Sequence, residues 1–223
     1  MALQRLTWRT VGGLVIVLIS ALLSVVAAPA LPAQVTTQWN ATGLADGTLA
    51  KPVVLVGGPS FVLGIVLLFE VIPRIDPLAE NITSFQTAYD AAAILVAGFL
   101  AYVYGFIVAW NLGYGISVQQ ALSPALAVLY VAVGFLVEHA ERNWFVGIRT
   151  PWTLSSEAVW RHTHDRAAAL FKIAGAIALG GLVFPAYFIY FVAVPAAAIA
   201  LFTTVYSYLD YRRVTNGEQG GMP

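Results

Sequence analysis

Long apolar runs, separated by short polar clusters, set the pattern of this chain. Residues 11–28 carry no charge, residues 52–72 carry none before Glu70, and residues 91–110 and 118–137 carry none at all. After Lys172, 37 residues run to Leu209 without a charge. As one helix that run would extend roughly 55 Å, well beyond a hydrocarbon core of ~30 Å. It must fold back, and "GGLVFPAYF" around Pro185 is the natural corner because proline breaks the helical ladder. The pattern predicts an all-α polytopic membrane protein with six transmembrane helices.

Composition agrees with that pattern. Hydrophobic residues make up 60% of the chain, charged residues 10%, and mean hydropathy is +0.81. A water-facing domain of this size needs about a quarter charged residues, so the outer surface here faces lipid. Net charge is zero, which argues against a nucleic-acid partner held by a broad basic face. There is no cysteine, which excludes disulfides, thiolate metal sites and cysteine nucleophiles.

Charge placement gives the orientation. With the N-terminus in the cytoplasm, Arg5, Arg9, Arg74, Arg142, Arg149, Arg161, Arg166, Lys172, Arg212 and Arg213 all fall at cytoplasmic ends, and Lys51 alone falls outside. Both termini are then cytoplasmic. A reporter fused after Asn40 is expected outside and one after Trp152 inside; the opposite pair of results would overturn this orientation. The first apolar run, followed by "AAPALPA", also has the shape of a secretory leader with a small-residue cleavage site. Its length favours a retained span.

Small residues recur every four positions at Ala97, Ala101, Gly105 and Ala109, and in the pairs Ser60/Gly64 and Ala193/Ala197. Such spacing lets helices approach closely in lipid and permits a homo-oligomer. An alanine-rich lipid face is the alternative for the pairs.

Two polar loops carry the remaining information. Residues 29–51, between the first two spans, contain "VTTQWN", which alternates like a short strand, and turn residues in "GLADG". A small structured cap and a solvated loop with an interfacial tryptophan are both compatible with these residues, composition alone favouring the loop. "Asn40-Ala-Thr42" fits the short N-glycosylation pattern, which recurs by chance.

The second loop is "RNWFVGIRTPWTLSSEAVWRHTHDR", residues 142–166, holding four of nine arginines, three of six tryptophans and two of three histidines. Its aromatic start suits the headgroup zone. Thr150-Pro151 predicts a non-helical break, and a serine before Glu157 predicts a helix start. That helix would place Glu157, Arg161 and Asp165 on one face and Trp160, His164, Ala168 and Phe171 on another. Glu138, His139, Glu141, His162, His164 and Asp165 tempt a metal assignment, but residues two apart on a helix point about 200° apart, so His162 and His164 cannot share an ion. No metal or cofactor is expected. Glu70, Asp90 and Glu138 sit at the ends of spans, where pairing with Arg74, Arg142 or Arg149 is expected.

The ordered run Asn143, Gly147, Ile148, Arg149, Thr150, Pro151, Trp152, Thr153, Leu154, with Trp160, Thr163 and His164 behind it, closely resembles the signature of the SdpI/YfhL family. Leu31, Pro32, Asn40, Gly43, Asp46 and Lys51, with Trp39 beside them, are similar to an extracellular module of unknown function that often precedes that signature. This chain has Gln38 where the module usually carries histidine. The resemblance implies an N-terminal module over 1–110, an SdpI-like module over 111–210 and a polar tail over 211–223. It further implies a non-enzymatic, multi-pass protein of a prokaryotic plasma membrane, with its outer loop facing a peptide toxin and its inner loop, Arg161 included, facing a transcriptional repressor. Transport of a small solute or lipid, with Arg149 and Arg161 as anion contacts, is the competing expectation. An enzyme using His164 with Glu157 or Asp165 ranks last.

Overall fold

The structure, a computed structural model, describes residues 7–219; Arg5 and the end of the polar tail lie outside the described residues. In chain order the elements are α1 (Trp8–Ala27), strands β1 (Gln34–Trp39) and β2 (Ala45–Ala50), α2 (Lys51–Ile75), the short α3 (Ala79–Ser84), α4 (Gln86–Asn111) and α5 (Val118–His139). They continue with the short α6 (Pro151–Ser155), α7 (Glu157–Ala178), the single turn α8 (Gly180–Val183), a 3-10 turn (Pro185–Tyr187) and α9 (Phe188–Gln219).

Six helical stretches are long and apolar enough to cross a membrane: Trp8–Ala27, Lys51–Ile75, Gln86–Asn111, Val118–His139, Glu157–Val183 and Pro185–Asn216. The fold class is therefore a six-span helical membrane protein. Outward side chains such as Leu18, Leu22 and Val25 are 61–71% exposed, which suits a lipid-facing surface. The corner between the last two spans lies at Phe184 and Pro185, where proline keeps the preceding residue out of helical geometry.

Helix starts follow local chemistry. The Thr7 hydroxyl caps α1 by accepting from the Thr10 amide, Ser117 and Gln120 form a reciprocal capping box on α5, and the Ser156 hydroxyl caps α7 through the Val159 amide. Thr150-Pro151 is the break read from the sequence, and Pro151 also begins α6. Thr150 stays extended as the cap, and Pro151 occupies the first turn, where its missing amide costs nothing.

α1, α2 and α4 pack on one another, α7 packs against α5 and α9, and α4 against α5 joins the two sets. Ala97 is fully buried against Val62 and Val66, with Ala101 beside them, so the four-residue ladder does serve a helix contact. Ser60, Gly64, Ala193 and Ala197 instead face outward. The tightest approach uses glycines without that spacing. A Cβ at Gly134 of α5 would stand 2.9 Å from the Ala168 carbonyl oxygen of α7, and one at Gly175 of α7 would stand 2.8 Å from that of Ala127.

The loop after α1 is a structured antiparallel hairpin, not a solvated loop, with Val35 fully buried beneath it. α1 ends and α2 begins at this hairpin end. The opposite end gathers the start of α1, the end of α2, the start of α4, and the whole 140–157 connection.

Candidate functional site

At the end opposite the hairpin, the 140–157 connection folds around three buried side chains. The Asn143 carboxamide is fully buried and uses all its hydrogen-bonding capacity. Its Nδ2 donates to the carbonyls of Glu141 and Val146 at 2.8 and 2.9 Å, and its Oδ1 accepts from the amides of Phe145 and Val146 at 2.9 and 2.6 Å. Asp76, at the end of α2, accepts from the Trp144 amide at 3.0 Å and the Leu78 amide at 2.7 Å, tying this turn to a second helix.

His164 is 2% exposed and stacks on the fully buried Trp160 ring, with centroids 3.9 Å apart. Its Nε2 accepts from the Ile148 amide at 3.0 Å. That leaves Nδ1 to donate to the Trp160 carbonyl at 2.8 Å, which fixes the Nδ1–H tautomer. Trp160 Nε1 donates to the Ala140 carbonyl at 2.7 Å. Gly147 has φ +112°, and a Cβ there would collide with His164 Nε2. Gly147, Trp160 and His164 thus form one interlocked unit, enclosed by Ile72, Ile82, Phe85, Tyr89, Ala140 and Val146.

The Gly-Ile-Arg-Thr-Pro-Trp-Thr-Leu run folds onto α9. Thr150 and the buried Thr153 cap α6 reciprocally, Thr153 Oγ1 also donates to the Ile148 carbonyl at 2.8 Å, and Thr150 Oγ1 donates to Ser207 Oγ at 3.1 Å. The Trp152 ring rests against Tyr208, centroids 5.1 Å apart, and the Leu154 carbonyl accepts from Arg142 at 3.0 Å. Thr163 is fully buried.

The outer rim of this end is polar and exposed. Trp144 is half exposed, Arg149 is exposed and donates to the Trp144 carbonyl at 2.7 Å, and Glu157, Arg161 and Asp165 line the exposed face of α7. The two faces predicted for α7 are therefore the two observed. His162 turns outward to Asp210 of α9 at 2.8 Å, while His164 turns inward. Both His164 ring nitrogens are engaged, and Glu157 and Asp165 lie on the other face, so the constellation of His164 with either carboxylate does not form. Arg149 and Arg161 lie outside the bundle and do not line a passage through it. Among the described residues no group of three histidine or acidic side chains comes together.

The hairpin end assembles most of the second set. Asn40 Oδ1 accepts from the Thr42 amide and hydroxyl at 3.0 and 2.7 Å and from the Leu44 amide at 3.0 Å, organising a turn that Gly43 closes with φ +83°. Trp39, expected at the interface, packs instead on Phe106 and Trp110, centroids 5.3 and 5.5 Å away. The Lys51 ammonium donates to the Ala28 and Leu31 carbonyls at 3.1 and 2.9 Å, where the end of α1 favours a cation. Asn111 of α4, which nothing in the sequence pattern marked, brackets Thr36 of β1 with bonds of 2.8 and 2.9 Å. Pro32 and Asp46 are exposed and take no part in this assembly.

Of the three acidic residues at span ends, Glu70 meets the expected Arg74 but binds Arg9 more closely, and Asp90 and Glu138 take other partners. Arg9 is buried and forks onto Glu70 through Nε and Nη2, both at 3.0 Å, while Nη1 meets Asp90 at 2.6 Å. Arg74 approaches Glu70 only at 4.0 Å. Glu138 pairs with Lys172 at 2.7 Å, Arg142 with Glu157 at 3.4 Å.

Residues 139–207 match the model of the SdpI/YfhL protein family, a segment running from the end of α5 through the interlocked unit to Ser207. Residues 15–63 match a domain of unknown function, DUF1648, a stretch running from within α1 through the hairpin to the middle of α2. A curated relative, Immunity protein SdpI of Bacillus subtilis (strain 168), is 22% identical over 218 residues, covering 95% of this chain and 99% of its own. No solved structure matches the chain.

Proposed function

The chain belongs to the SdpI/YfhL protein family, and from that premise we propose that it is an immunity-type membrane protein of a prokaryotic plasma membrane, acting by binding rather than by catalysis. The hairpin end would face a secreted peptide toxin, and the end bearing Gly147 and His164 would face a regulator of transcription in the cytoplasm. This reading adopts the orientation drawn from the arginines. It also treats residues 1–110 as a three-span module that presents the outer loop and 111–210 as a three-span module that presents the cytoplasmic motif.

The observation that carries the reading is the closure of the family motif. Asn143, Thr153, Trp160 and His164 direct their hydrogen bonds inward to the fold and present no free acid, base or nucleophile. What remains outside is a rim of mixed charge around Trp144, made by Arg149, Glu157, Arg161 and Asp165. Rigid interiors with exposed polar rims suit recognition, and charge complementarity at a rim governs the choice and rate of partners.

Expression in a host sensitive to a membrane-active peptide is expected to raise survival. The double substitution Arg149→Glu with Arg161→Glu is expected to preserve protection while releasing a membrane-held regulator to the soluble fraction. Absence of protection against every membrane-active peptide tested would sink the immunity reading. Unchanged retention of the regulator would remove the rim from it.

A further inference from the structure

A cleft of about 700 Å³ opens beside the Arg9–Glu70–Asp90 network, at the same end as the family motif but on the α1, α2 and α4 side. Its rim carries Trp8, 54% exposed, with Arg74, Gln86 and Thr87. All of these belong to the first or last turns of membrane-spanning helices, which is headgroup depth in a bilayer.

Two carboxylates, Glu70 and Asp90, and two guanidiniums, Arg9 and Arg74, line this cleft; both carboxylates bond the buried Arg9. Glu70 is well satisfied: both oxygens accept from Arg9, and Oε1 also accepts from the Thr10 hydroxyl at 2.7 Å. Asp90 is not. It is 3% exposed, its Oδ1 accepts from Arg9 and from Gln86 at 2.7 Å, and its Oδ2 has no donor among the described residues although the residue lines the cleft. A carboxylate oxygen with an open acceptor position on a cleft takes an N–H or O–H donor, and its own negative charge favours a cationic one. Across the same cleft Arg74 meets Glu70 at 4.0 Å while its side chain stays 58% exposed, which leaves its remaining N–H groups open to an anion. Donor-seeking carboxylate and anion-seeking guanidinium thus stand on one cleft beside an exposed tryptophan.

We infer that this cleft binds the zwitterionic headgroup of an aminophospholipid, the primary ammonium donating to Asp90 and the phosphate meeting Arg74. An anionic glycerol headgroup offers Asp90 hydroxyl donors but no cation, and adds repulsion from two carboxylates. A trimethylated headgroup carries the charge but no N–H to donate. The site therefore favours the headgroup that combines a cationic charge with hydrogen-bond donors.

The test is lipid retention by the full chain, reconstituted in bilayers of equal phosphatidylethanolamine, phosphatidylcholine and phosphatidylglycerol and weighed by native mass spectrometry. Phosphatidylethanolamine is expected to be retained about tenfold over phosphatidylcholine, the size of one charge-assisted hydrogen bond. Asp90→Asn is expected to remove that preference. Because Asp90 also holds Arg9, the companion variant Thr87→Phe fills the cleft from its exposed rim and is expected to remove the preference with the fold intact. Adding soluble phosphoethanolamine separates the sources of the chemistry: competition at millimolar level assigns recognition to the headgroup alone, and its absence assigns it to the headgroup on its diacyl anchor. Equal retention of ethanolamine and choline lipids, preference for the glycerol lipid, or an undiminished preference in Thr87→Phe would each overturn the assignment.

Discussion

Replacing Gly147 with alanine is expected to cost about 3 kcal/mol of stability and to lower the unfolding temperature of the detergent-purified protein by several degrees. Two effects add. At φ +112° a side-chain-bearing residue is strained by about 1–3 kcal/mol, and the new methyl collides with a ring that cannot retreat. His164 is held at both nitrogens and stacked on Trp160, so relieving the clash means breaking the Ile148 or Trp160 bond or unstacking the rings. Gly64→Ala is the control: its helix position has open space where a Cβ would sit, so stability should hold or rise slightly. Equal melting of Gly147→Ala and the parent protein would remove the interlocked unit from this account.

Arg9→Met is the second large effect, about 3–5 kcal/mol, because it strands two carboxylates in a buried site. The cost belongs to the orphaned charges more than to the lost arginine. Adding Glu70→Gln and Asp90→Asn to Arg9→Met should therefore recover most of the stability, read as the monodisperse fraction surviving a heating series. If the triple variant is no better than the single one, the penalty is not electrostatic.

Much of this architecture is legible in the sequence because charges punctuate it. The six spans, the fold-back at Pro185, the serine cap before Glu157 and the two faces of α7 all rest on local rules with periods of a few residues. The strand-like "VTTQWN" pattern was legible too, but the composition of the loop pulled the other way; what decided it was a buried Val35 and a bracket from Asn111, 75 residues distant from Thr36. Distance along the chain explains the other misses. Arg9 meets Glu70 and Asp90 across 61 and 81 residues, and nothing near Arg9 marks it as more than a topology signal. Asp76 meets Trp144 across 68. The break at Thr150-Pro151 was legible from the proline alone; that Pro151 also opens a helix depends on the threonine cap before it.

In the family motif, the sequence order pointed to importance without revealing the division of labour. Asn143, Gly147, Thr153, Trp160 and His164 hold the turn together, whereas Arg149 and Arg161 stand outside it. A substitution series across the run should therefore split into variants that fail to fold and variants that fold but lose a partner.

The position of Lys51 has a kinetic consequence. Its ammonium is committed to the carbonyls at the end of α1, and Asp46 is the one other charged side chain between α1 and α2. The hairpin end therefore projects almost no electric field into the solution it meets. A ligand arriving there is not steered, so its association rate should stay near the unsteered range of roughly 10⁵–10⁶ M⁻¹s⁻¹ and change little with ionic strength. Any selectivity at that face must then come from how long a ligand stays, not from how often it arrives.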